Sequence, residues 1–124
     1  MQLTITAREK QSVTVLDLSG RIVAGEECDS LRKKIQELLA SNQTKILLNL
    51  AQVTRVDSTG IGMLVEAVIN TARKGAHLKL TNLPRLIYNV LFTHRLVQAF
   101  EIHSNEEEAL AGFEKEAPGA PGPQ

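Results

Sequence analysis

The sequence has one cysteine, Cys28, and no tryptophan. A lone cysteine excludes an intramolecular disulfide and any multi-cysteine metal site. At an apolar helical position it reads as a small core side chain rather than a reactive thiol. Three phenylalanines and one tyrosine are the only aromatics, so Leu, Ile and Val must fill the interior. Neither sign of charge prevails: fourteen basic and fourteen acidic residues give a formal net charge of 0. That removes the main electrostatic reason to expect nucleic-acid binding or a polybasic membrane patch. No apolar run approaches the roughly eighteen residues of a transmembrane helix. The start, M-Q-L-T-I-T-A-R-E-K, alternates polar and apolar residues instead of forming a signal core. A cytoplasmic protein without membrane insertion is expected.

Catalytic signatures are missing too. His77, His94 and His103 show no H-E-x-x-H or comparable ligand spacing, so no metal site is expected. The glycines spell neither G-x-x-x-x-G-K-[ST] nor G-x-G-x-x-G. Ser58 is not in a G-x-S-x-G elbow. The Glu106–Glu108 run reads as a solvated helix start, and Arg32-Lys33-Lys34 as the exposed side of a helix. The expectation is a non-enzyme without cofactors.

What is present is a patterned chain of 124 residues, 43% hydrophobic, enough for one globular domain. Leu3, Ile5 and Ala7 alternate with polar residues, and Val13 to Leu18 continue in the same style. A turn over Glu9–Ser12 makes these an antiparallel hairpin. From Glu26 the period becomes helical through Cys28, Leu31, Ile35, Leu38 and Leu39, with an acidic first turn that suits the helix dipole. The run Ile46–Leu50 predicts a central strand, and Ile61 to Ala72 a wide helical stripe ending at Lys74-Gly75. His77–Thr81 predicts a strand. Asn82 and Pro84 predict the cap and first turn of a helix over Leu86–Leu91. A short strand at Phe100–His103 and a last helix with Ala109, Leu110 and Phe113 follow. The closing A-P-G-A-P-G-P-Q predicts a disordered tail. The expected fold is α/β, a mixed sheet with helices packed on it, with the domain over residues 1–115 and the tail over 116–124.

One stretch does not fit a purely structural reading. In R-V-D-S-T-G-I-G-M-L, residues 55–64, a strand gives way to a helix. Asp57 or Ser58 can cap that helix. Gly60 and Gly62 nevertheless fall in its first turns, where each costs ~1 kcal/mol relative to alanine. A bare surface for a partner's backbone would justify them. A helix N-terminus also tolerates an added anion, so a phosphate on Ser58 would bring ~1.5–2 negative charges without disturbing the fold.

The segment V-D-S-T-G-I-G-M-L resembles the signature of the anti-sigma factor antagonists of the STAS domain family, which carry D-S-[ST]-G-[LI]-G at the start of a helix after a core strand. The resemblance spans about residues 3 to 113 and includes G-R-I, L-L-N-L, N-L-P and E-E-A-L. It implies a STAS fold with a four- to five-stranded mixed sheet and about four helices. It implies that Ser58 is phosphorylated by a partner serine kinase of GHKL type that doubles as an anti-sigma factor. The unphosphorylated form would bind that kinase, and a PP2C-type phosphatase would restore it. The expected contact patch is Asp57, Ser58, Thr59, Gly60, Gly62 and Met63, with Gly20, Arg21, Val23, Ala24 and Gly25 of the preceding loop. Thr59 reads first as a helix-start residue and second as a secondary phosphosite, and Met63 is an equal candidate for the core.

Two departures qualify the match. Val23 stands where members carry an acidic residue, and Thr93-His94-Arg95 replaces a late T-G-L. A partner unlike the typical kinase is therefore open, as is an unphosphorylated scaffold role such as the soluble subunit of a lipid-transport ATPase. A monomer is expected.

Overall fold

The computed structural model describes residues 2–116. In chain order it holds β1 (Leu3–Lys10), β2 (Val13–Ile22), α1 (Glu26–Ala40), β3 (Lys45–Val56), α2 (Ser58–Arg73), β4 (His77–Thr81), α3 (Arg85–Thr93), β5 (Glu101–His103) and α4 (Glu106–Glu114). A 3-10 turn, Val97–Ala99, precedes β5. The sheet order is β1-β2-β3-β4-β5, with β1 antiparallel to β2 and all other pairs parallel. This is the expected mixed sheet with four helices.

Alternation along the strands splits the interior in two. On one face Leu16, Leu18, Ile46, Leu48, Leu50, Leu78 and Leu80 bury against Leu31 and Ile35 of α1, Ile61 and Leu64 of α2, and Ile87 and Leu91 of α3. On the other, Val13, Val15 and Leu47 meet Ala109, Leu110 and Phe113 of α4. Burying each such large apolar side chain contributes about 1.5–3 kcal/mol, so both layers hold the sheet between helices. Cys28 is buried in the first layer, where burial pushes its thiol pKa up, as the core reading expects.

Several boundaries differ from expectation. The hairpin turn is only Gln11 and Ser12, because both take left-handed φ (54° and 68°) and let β1 run to Lys10. β3 continues past Leu50 to Val56, since the more polar stretch after Leu50 keeps pairing with β2 through two register shifts and Val53 still reaches the core. Asn82 does not cap α3. It has φ 58°, and its amide donates to Asn49 Oδ1 at 3.1 Å. Pro84 occupies the cap position, with no side-chain bond. Glu116, the first residue of the expected tail, bonds Lys79 and pairs with His77; the rest of that tail lies outside the described residues.

Candidate functional site

Asp57 sits between the end of β3 and the start of α2, in extended conformation. Its two carboxylate oxygens go separate ways. Oδ1 accepts the amide of Gly60 at 2.8 Å, capping α2. Oδ2 accepts the amide of Ala24 at 3.0 Å, which fastens the loop between β2 and α1 to the same helix start. The amide of Asp57 itself donates to the carbonyl of Ile22 at 3.3 Å. The bonds from Ala24 and then Gly60, with the nearby Arg55 guanidinium, hold the Asp57 carboxyl below the usual range. Of the two cap candidates, Asp57 takes the role.

Ser58 is the first residue of α2 and is exposed, with no side-chain hydrogen bond among the described residues. Among the described residues the Asp57 carboxylate bonds backbone amides and makes no hydrogen bond to the Ser58 hydroxyl. The serine is displayed rather than activated. Thr59 and Gly62 are exposed beside it, as are Ala24 and Gly25 across the loop, while Val23 is half-buried.

The expected patch separates into two groups. Gly60 is buried, and a Cβ there would lie 2.1 Å from the Ile22 carbonyl oxygen. Its glycine is demanded by the close approach of α2 to the end of β2, a correction to the reading that it bares a surface. Gly62 has nothing within 4 Å of a Cβ position, so packing does not demand it. Met63 is 2% exposed and lies between α1 and α2 beside Ile35 and Leu39, so it belongs to the core and not to the patch. Gly20 and Arg21 are part of β2 and not of the loop, because Gly20 pairs with Leu3 and Val53. Gly20 has φ 115°, and a Cβ there would lie 2.0 Å from the Gln2 carbonyl oxygen. The exposed group on the loop and helix start is therefore Ala24, Gly25, Ser58, Thr59 and Gly62, framed by Asp57, with Arg21 exposed on β2 beside it.

A pair of like charges nearby has no local signal in the sequence. Arg21 and Arg55 are cross-strand partners at the same end of the sheet, both exposed. Only the register with its two shifts brings them together. Among the described residues, no three or more His, Cys, Asp or Glu side chains group to hold a metal, and no helix is long and apolar enough to cross a membrane.

A family model described as "Mlab, STAS domain" matches residues 5–103. Solved structures share the fold. A candidate anti-sigma factor antagonist from Thermotoga maritima superposes with TM-score 0.80 at 20% identity, covering 90% of this chain and 95% of that one. The Bacillus cell fate determinant SpoIIAA in its phosphorylated form gives 0.67 at 19%, covering 89% and 99%. A sulfate transporter family protein from Wolinella succinogenes gives 0.66 at 17%, covering 83% and 85%. At these identities they establish the fold alone. No curated protein matches the chain in sequence.

Proposed function

The chain belongs to the Mlab STAS-domain family, and we propose that within it this protein is a docking module switched by phosphorylation of Ser58. In the unphosphorylated state a protein partner sits on Ala24, Gly25, Ser58, Thr59 and Gly62. That partner is a serine kinase of GHKL type acting as an anti-sigma factor, and a PP2C-type phosphatase resets the switch. The observation that carries the reading is the exposed, unbonded Ser58 hydroxyl on a helix start already capped by Asp57. A phosphate there adds charge and bulk to the contact surface while leaving the cap intact. The fold neighbours support it, since SpoIIAA is described in both unphosphorylated and phosphorylated forms.

A second reading, a constitutive scaffold such as a subunit of a lipid-transport complex that docks through the same surface, draws support from the fold shared with a sulfate transporter family protein. Intact-mass analysis of the protein from its own cells separates the two. The switch predicts a phosphate-sized increment that phosphatase treatment and Ser58→Ala both abolish. No increment in any growth condition, with Ser58→Ala fully functional, supports the constitutive subunit instead.

A further inference from the structure

The four aromatic side chains divide evenly. Phe100 and Phe113 are buried, whereas Phe92 is 66% and Tyr88 38% exposed, both on α3. Leu86 of the same helix is 67% exposed. A nine-residue helix thus displays three of the four large apolar side chains exposed among the described residues, a concentration that marks interaction surfaces. Ile87 and Leu91 anchor α3 to the core. At 100° per residue, Leu86 and Phe92 fall on opposite shoulders and exposed Asn89 between them.

Below the Tyr88 shoulder runs a groove of about 740 Å³, between α3 and β5, whose walls include Arg85, Tyr88, Val97 and Phe100. A second groove of about 540 Å³ lies beside Phe92, walled by Arg95 and again Val97. The charge around them is one-sided. From Asn82 to Phe100 the chain has no Asp or Glu but carries Arg85, His94 and Arg95. Among the described residues, neither arginine has a carboxylate within salt-bridge distance. In a chain of zero net charge this is a local cationic excess over two grooves, the one beside Phe92 mainly apolar and the one beside Tyr88 mixed, with Asn89, His103 and Ser104 among its walls.

We propose that the α3 surface is a second docking site, distinct from the Ser58 surface, which takes an acidic, apolar segment of a protein partner. Apolar side chains of the segment enter the two grooves beside Tyr88 and Phe92, and its carboxylates meet Arg85 and Arg95. A lipid surface fits less well. A bilayer needs apolar groups along the crest of a helix, whereas the crest here is Asn89 and the grooves beside it are concave and partly polar.

The test titrates the isotope-labelled full chain with a short synthetic peptide of Glu, Leu and Phe, and with its counterpart bearing Lys in place of every Glu. Backbone NMR shifts report where each binds. The acidic peptide is expected to move α3 and Val97–Phe100 signals and to bind at least roughly tenfold more tightly than the basic one. Phe92→Ala weakens it, and the double variant Arg85→Glu, Arg95→Glu inverts the preference. These positions are exposed, so an unchanged thermal transition verifies that the variants fold. Equal response to both peptides, shifts confined to other elements, or binding only to phosphatidylglycerol vesicles overturns the proposal.

Discussion

Asp57 and Ala24 are 33 residues apart in sequence, yet one carboxylate oxygen of Asp57 accepts the Ala24 amide at 3.0 Å while the other caps α2 through Gly60. A single side chain thereby sets the β2–α1 loop against the helix start, and Ser58 is displayed on the surface they share. The proposed docking surface rests on backbone geometry that these two bonds hold.

Replacing that carboxylate removes both ties. Asp57→Ala is expected to lower unfolding stability by about 1–2 kcal/mol, the upper range for loss of a cap. Hydrogen exchange should speed up at Ala24 and Gly60 together. If only Gly60 exchanges faster, the loop is held by something other than Asp57.

The two glycines of the motif make opposite predictions. Gly60→Ala drives a Cβ against the Ile22 carbonyl and should destabilise by roughly 1–3 kcal/mol or more, as overpacking does. Gly62→Ala meets open space and should stabilise α2 by about 0.5–1 kcal/mol, while weakening partner binding. Denaturant midpoints of the two variants check the first half. Equal destabilisation by both would contradict the packing described.

Arg8 links β1, β2 and α4 through Asp17 and Glu106. Its side-chain bonds are the leading reason that both carboxyls lie below their ordinary values. A lowered folded pKa stabilises fully above the unfolded carboxylate pKa of ~4 and is lost as pH falls through the folded value. Stability should therefore fall from about pH 5 downward, and Arg8→Met should make that fall shallower. Parallel profiles for the two proteins would show that the network does not govern acid unfolding.

Much of this was legible in the sequence because it is local. The period change at Glu26, the apolar run Ile46–Leu50 and the cap before Ile61 each follow from near neighbours. What escaped is set by distant pairing. From near neighbours alone Gly60 reads as a concession to a partner, because the Ile22 carbonyl it avoids lies 38 positions upstream. Lys79 sits on a strand, where a lysine ordinarily faces water. It is 1% exposed, beneath the Phe113 ring and bonded to Glu101 and Glu116. Asn82 was read as a cap from its type. Its left-handed backbone turns it instead toward Asn49, in a polar chain that continues to Asp17.

The central claim is that a partner docks on the exposed start of α2 and leaves when Ser58 carries negative charge. Site-specific photo-crosslinking in the native cells tests it most directly, with the probe at Gly62 and, as a control, at exposed Thr6 on β1. The account predicts one discrete adduct from position 62, none of that mass from position 6, and its loss when Ser58→Glu is added. An adduct from position 62 that persists with Ser58→Glu would contradict the switch, and no adduct from position 62 at all would contradict the docking surface.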